Sequence, residues 1–222
     1  MRIRRKKHLQ ERLSKVTDVL IVPDRDIVNV KLAIQDKKYF DFNKIFGNDN
    51  PVELEVGCGK GGFIVEKAKL NPNINFIAVE LLENIIVMAC EFAQKQGLKN
   101  IKFVNSGAEY MPRYIKEESI DNIYLNFSPP FPKTTQESRR LTNDNYMNDY
   151  KSFLKVGGTV FQKTDDEEFF NYSFTQFEKF GFEVENVTKK LHENTIDNVE
   201  TEYEKMFKKK GMLPFGLIAK KL

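Results

Sequence analysis

Residues Glu53 to Gly62 read ELEVGCGKGG, and Phe76 to Asn84, about twenty positions on, read FIAVELLEN, with Glu80 closing an apolar run. A short apolar strand that breaks into glycines lets the backbone turn tightly and approach a ligand closely. A helix starting beneath such a loop turns its unpaired N–H groups toward that ligand. Glu80, at the end of the second strand, is placed to accept both hydroxyl protons of a ribose. The two segments together predict a nucleoside-cofactor site.

Two cofactor classes use such a site. The spacing Gly57-x-Gly59-x-x-Gly62 fits the dinucleotide fingerprint with Glu80 as the ribose acid. The same stretch fits the acid-x-Gly-x-Gly-x-Gly pattern of S-adenosylmethionine sites as Glu55, Gly57, Gly59 and Gly61. Glu55 separates them. A carboxylate just before the glycines repels a pyrophosphate, whereas it suits the cationic methionine end of S-adenosylmethionine.

At 222 residues the chain is long enough for a full core and short for two domains. No apolar stretch approaches a membrane span, and the N-terminus is too polar for a signal peptide. Cys58 and Cys90 offer neither a disulfide framework nor metal-ligand spacing, which suits a reducing cytosol and a cytoplasmic protein without a metal. His8 and His192 lie far apart and belong to no ligand cluster.

The net charge of +3 hides an asymmetry, because MRIRRKKHLQERLSK, the first 15 residues, carries seven Lys or Arg against one Glu. The remainder is therefore slightly acidic. A basic arm of this kind suits a polyanion partner, since its charges displace counterions from phosphates. Residues 1–50 read as this arm with a polar extension, and 51–222 as the catalytic domain.

Strands are expected at 52–56, 75–80, 101–104, 120–127, 158–163, 182–188 and 215–220, with helices at 61–70, 83–96, 143–154, from Asp165 or Asp166 to Gly181, and at 201–210. Strands alternating with helices imply an α/β fold: a doubly wound, mainly parallel seven-stranded sheet, Rossmann-like, with ligands at the carboxyl ends of its strands.

A second feature follows the fourth strand, where Asn122 to Lys133 read NIYLNFSPPFPK. Ser128-Pro129-Pro130-Phe131 emerges at the same sheet edge as the glycines. Two prolines fix the backbone and leave carbonyls to accept hydrogen bonds. Phe131 is suited to stack on a base, with Lys133, Arg139 and Arg140 on the same loop. Read alone, this loop is better taken as a rigid connector with Phe131 packed inside. Beside a cofactor pocket, base recognition is the favoured reading.

Nearly end to end, the chain resembles the bacterial tRNA (guanine-N7)-methyltransferases. The likeness rests on the order of MRIRRKK, FGNDNPVELEVGCGKGGFI, AVELLEN, YLNFSPPFPK, ESRRLT, KTDD and TEYEKMF. It implies a class I methyltransferase fold, S-adenosylmethionine as cofactor, and transfer of its methyl to a guanine in the tRNA variable loop. It further implies that Glu55, Gly57, Gly59, Gly61, Glu80, Asn105 and Gly107 hold the cofactor. Lys133, Asp165, Thr201, Glu202, Tyr203 and Glu204 line the guanine site, with Arg139 and Arg140 nearby. The resemblance leaves monomer and homodimer both open.

Two positions depart from the family pattern. Where the family usually has Asp-Pro-Trp-Pro-Lys, this chain has Pro129-Pro130-Phe131-Pro132-Lys133, so the position of the aspartate often assigned as catalytic is a proline. Where the family often has Asn-x-Asp-Ala, this chain has Asn105-Ser106-Gly107-Ala108. Guanine N7 carries a lone pair and no hydrogen, so methyl transfer to it needs no base, and alignment of the reactants supplies much of the rate. Two other readings remain. Ser-Pro-Pro-Phe is also similar to the motif of exocyclic amino-methyltransferases, and loss of the aspartate is compatible with an RNA-binding protein that no longer catalyses.

Overall fold

The computed structural model describes residues 7–24, 27, 29–193 and 198–222. Before the first glycine loop lie α1 (Leu9–Ser14), β1 (Leu20–Ile21), α2 (Val30–Ala33) and α3 (Phe42–Phe46). There follow β2 (Val52–Val56), α4 (Gly62–Leu70), β3 (Asn75–Glu80), α5 (Glu83–Lys95) and β4 (Ile101–Asn105). The central part holds α6 (Met111–Tyr114), β5 (Ile120–Asn126), α7 (Asp144–Phe153) and β6 (Leu154–Thr164). The chain ends with α8 (Glu167–Lys179), β7 (Phe182–Asn186), α9 (Thr188–His192), α10 (Glu202–Lys209) and β8 (Phe215–Lys221).

The sheet has eight strands in the order β1-β4-β3-β2-β5-β6-β8-β7, parallel except for β8, which runs antiparallel to both neighbours. Seven of them are the strands expected from sequence. The eighth, β1, is only two residues long and pairs with Phe103 and Val104 of β4. Nothing in so short a segment has a visible strand period, and its pairing is created by what surrounds it. The basic N-terminal segment is anchored there. Arg12 donates from Nε and Nη2 to both oxygens of Glu91 on α5, each at 2.6 Å, while Leu9, Val16, Val19 and Leu20 are buried. Residues 1–6, the most basic part of the expected arm, lie outside the described residues.

Every residue of β2 is buried, as a central parallel strand covered on both faces requires. One face packs against α1, α4 and α5, the other against α6, α7 and α8. The strand order reverses between β2 and β5, so the loops leaving these two strands diverge and open a crevice at their carboxyl ends. Helix α8 is capped by Asp166, whose Oδ1 accepts the Phe169 N–H at 2.8 Å. That leaves Asp165 uncommitted to the cap and exposed at the end of β6.

Candidate cofactor and guanine site

Strand β2 carries two glutamates two residues apart, hence on one face, and their surroundings give them different roles. Both oxygens of Glu53 are satisfied, by Asn122 Nδ2 at 2.7 Å and the Tyr124 hydroxyl at 2.8 Å. Among the described residues, Glu55, one step nearer the crevice, receives only Asn126 Nδ2 at 2.8 Å, on Oε1. Its Oε2 is buried and has no partner among them, as is true of Asn126 Oδ1 and Ser128 Oγ, which follow from the neighbouring strand β5. A buried polar atom left unpaired costs about 1–3 kcal/mol. Three such oxygens at adjacent strand ends mark a place for hydrogen-bond donors, and an ammonium supplies three. Burial pushes the Glu55 carboxyl up to about 7, against the Asn126 hydrogen bond and the charge of Lys163. A cation bound there would stabilise the ionised form.

The loop after β2 is held down by Gly57 and Cys58, whose N–H groups both reach the Val79 carbonyl, at 2.9 and 3.0 Å. Gly61 begins α4 in the left-handed region at φ 80°, and a Cβ there would lie 2.8 Å from Ala89 Cβ, so only glycine lets α5 approach. At Gly57 and Gly59 a Cβ would meet nothing within 4 Å, leaving the crevice side of the loop open. Glu80 sits across from it. Its carboxylate accepts the Gly59 N–H at 3.2 Å and the Leu82 N–H at 2.9 Å, which fixes its orientation while its remaining lone pairs can accept ribose hydroxyls. Asn105, opposite Glu80 in register, donates from Nδ2 to the carbonyls of Glu80 and Leu81, both at 3.0 Å. The ends of β3 and β4 are thus clipped together, with Gly107 buried in the turn that follows.

The proline loop differs from its expected form. The carbonyls of Pro130 and Phe131 are not left to accept from a ligand, because Arg140 donates to them, from Nε at 2.9 Å and Nη2 at 3.2 Å. Its guanidinium also lies 4.4 Å from the centre of the Tyr172 ring. Arg140 therefore braces the loop. Arg139 is exposed and stacks on Phe131 at 4.4 Å, covering a face of the ring expected to stack on a base. Pro129 and Lys133 are exposed. Phe127 holds φ at +50° and Phe131 at +44°, a region costly for bulky residues and concentrated at functional sites.

The Thr201–Glu204 run closes the other side. Thr201 and Glu204 form a reciprocal capping box at the start of α10, with the Glu204 N–H reaching Thr201 Oγ1 at 3.0 Å and the Thr201 N–H reaching Glu204 Oε2 at 2.7 Å. Lys163, buried at the end of β6 and paired in register with Asn126, donates to Glu204 at 3.0 Å. It also donates to Asn198 Oδ1 and the Val199 carbonyl. Burial pulls the Lys163 ammonium below its usual range while Glu204 opposes this. Burial works against ionisation of Glu204 too, yet the charge and hydrogen bonds of Lys163 hold its carboxyl low. Exposed Tyr203 stacks on Phe127, ring centres 5.4 Å apart. Glu202 opens α10, but its side chain lies outside the described residues.

These contacts divide the residues expected from sequence. Glu55, the glycines, Glu80, Asn105 and Gly107 gather around one crevice. Thr201, Glu204 and Arg140 are engaged in holding the walls, while Asp165, Tyr203, Lys133 and Arg139 are exposed around the rim. Sequence alone sets Ser128 apart through the Ser-Pro-Pro-Phe motif but does not distinguish Asn126 or Lys163 as individual residues. Asn126 stands in the NFSPP stretch with no local signal of its own, and the role of Lys163 depends on α10, 41 residues further on.

A methyltransferase family model matches residues 49–215. The tRNA (guanine-N7)-methyltransferase of Streptococcus uberis is 36% identical over 99% of this chain and 99% of its own. That of Geobacillus kaustophilus is 40% identical over 77% of this chain and 79% of its own. The chain belongs to the tRNA (guanine-N7)-methyltransferase family. Among solved structures, a 16S rRNA methyltransferase superposes with a TM-score of 0.59 at 13% identity, covering 83% of this chain and 94% of that one, a likeness of fold. S-adenosylmethionine is the cofactor of this family of chains, and the unpaired acceptors at Glu55, Asn126 and Ser128 fit its ammonium.

Proposed function

We propose that this chain transfers the methyl group of S-adenosylmethionine to N7 of a guanine in the variable loop of tRNA. The observation that carries the reading is the half-satisfied, buried Glu55 beside an oriented Glu80 at the switch point of the sheet. When bound, the cofactor supplies a sulfonium carbon open to displacement. Glu55 neutralises the ammonium at one end of the crevice, with Asn126 and Ser128 completing its acceptors. Glu80 takes the ribose hydroxyls, and the glycine loop lets the backbone approach between them.

The guanine enters at the edge formed by the ends of β5 and β6. Its N7 carries a lone pair and no hydrogen, so accepting the methyl group would require no base from the protein. What the protein supplies is alignment. Asp165 accepts from the Watson–Crick edge of the base, and the Phe127–Tyr203 stack forms an aromatic wall. Lys133 and Arg139 contact phosphates, and Arg140, Thr201 and Glu204 keep the walls in place. Residues 1–50 extend the RNA-binding surface from the catalytic domain at 51–222. Among the described residues no helix is long and apolar enough to cross a membrane, and no group of three His, Cys, Asp or Glu is arranged to hold a metal.

The test is incubation with labelled S-adenosylmethionine and unmodified bulk tRNA, followed by mass spectrometry of the nucleosides. N7-methylguanosine is expected. An exocyclic methylamine would instead favour an amino-methyltransferase using Ser128, and absence of product a silent RNA-binding homologue. In single-turnover assays Pro129→Asp should change the rate modestly. Asp165→Ala should lower it on the order of a hundredfold, the cost of misplacing the base by about an ångström.

A further inference from the structure

The turn after β4 holds a carboxylate that neither the ribose nor the ammonium end of the cofactor requires. Gly107 has no side chain, yet the space that one would occupy is not empty. A Cβ built at Gly107 would have Cδ of Glu109 within 2.6 Å, and both carboxylate oxygens nearer still. Glu109 follows two residues later in a short 3-10 turn at Ala108–Tyr110, and is half-buried. None of the described residues gives its carboxylate a hydrogen bond or an ion pair.

Its location is fixed relative to the ribose acid. Glu80 and Asn105 are register partners, and the Asn105 amide ties the ends of β3 and β4 together, so the 105–109 turn is held beside Glu80. A nucleoside held by its ribose at the end of β3 projects its base sideways. The methionine end lies toward Glu55 on β2, so the base points the other way, over β4. There it meets the 105–109 turn, where the accessible acidic group is Glu109. An adenine presents an exocyclic amine, a donor of two hydrogens, and a carboxylate accepts only.

We infer that Glu109 is the adenine-recognising residue of the cofactor site, folding back over Gly107 to place its carboxylate against the N6 amine. The inference rests on the S-adenosylmethionine reading above. It also explains Gly107: any side chain there would displace the Glu109 carboxylate. Acid and glycine form one device.

The experiment measures binding rather than turnover. S-adenosylhomocysteine and S-inosylhomocysteine, in which the amine is replaced by a carbonyl oxygen, are titrated calorimetrically into the wild type, Glu109→Ala, Gly107→Asp and the double variant. The wild type should prefer the adenosyl ligand. Glu109→Ala should lose about tenfold or more for that ligand, the scale of one hydrogen bond to a charged group, and little for the inosyl ligand. Gly107→Asp alone should weaken binding, because it forces two carboxylates into one place. The same substitution in the Glu109→Ala background should restore the preference for adenosyl, a reversal of sign that a merely structural role would not produce. Equal losses for both ligands in Glu109→Ala, or unchanged selectivity, would overturn the assignment. A folded wild type that binds neither ligand would overturn the cofactor reading itself, a distinguishable result.

Discussion

Glu55 ties stability to function in opposite directions, and Glu55→Gln separates them. The substitution keeps size and hydrogen-bonding capacity but removes the charge. In the folded protein burial pushes the Glu55 carboxyl from 4.5 up to about 7. As the pH rises from 4.5 to about 7 the unfolded chain gives up this proton while the folded chain keeps it. Stability is therefore full below about 4.5, falls as pH rises, and levels off above about 7. At 1.36 kcal/mol for each step of one in pKa, the loss comes to roughly 3 kcal/mol. For a domain of this size that corresponds to roughly 6–12 °C in Tm. The ligand-free Glu55→Gln protein should therefore melt higher than wild type at pH 8 by about this amount, and at nearly the same temperature at pH 4.5.

Binding should move the other way. Only ionised Glu55 attracts the ligand ammonium, so wild-type affinity for S-adenosylmethionine should weaken about tenfold for each pH unit below 7. The variant should bind weakly and without this dependence. Lys163 and Glu80 also face this carboxyl and are present in both proteins, as is the ligand's own titration, so the difference between the two profiles isolates Glu55. The measurements are scanning calorimetry without ligand and isothermal titration with it, from pH 5 to 8. Parallel melting curves together with parallel affinity profiles would refute the assignment of Glu55 as a strained, ligand-dependent carboxylate.

Glu80→Ala should weaken S-adenosylmethionine binding by roughly 1.5–3 kcal/mol in a protein that still folds, and unchanged affinity by calorimetry would remove Glu80 from the ribose site. Lys163→Met leaves Glu204 buried without its cation and should cost about 3–5 kcal/mol in urea unfolding, whereas Lys163→Met combined with Glu204→Leu should recover most of it. Additive losses would show that the two do not act as a pair. Deleting residues 1–7 should flatten the salt dependence of tRNA binding by about 0.9 in log–log slope for each duplex phosphate that the shortened protein no longer neutralises, with cofactor affinity unchanged. An identical slope would make this segment a solubilising tail.

Much of the fold is legible in the chain. The seven long strands carry their apolar period and their glycine or proline stops locally, so their bounds in sequence and structure differ by a few residues at most. The cofactor side of the site is equally legible, because glycines at fixed spacing and an acid at the end of each of two strands are constraints on nearby backbone. The two-residue β1 is not, since its pairing with β4 depends on α1 being clamped to α5 through Arg12 and Glu91. Nor is the state of the proline loop. Arg140 is ten residues from Pro130, and only the folded loop shows that it binds that carbonyl rather than an RNA phosphate.

The sequence by itself determined the fold class, the crevice and the kind of ligand, because periodicity, turn residues and strand-end acids act over a few residues. Tertiary structure decided which acids are strained. Glu53 and Glu55 stand two positions apart on one strand and look alike in sequence. The difference lies in β5, which offers Asn122 and Tyr124 to Glu53 but a single amide to Glu55. Burial costs the same kind of energy at both positions, and at only one do neighbouring side chains offset it in full. The acceptor left unsatisfied at the other is what a ligand can use.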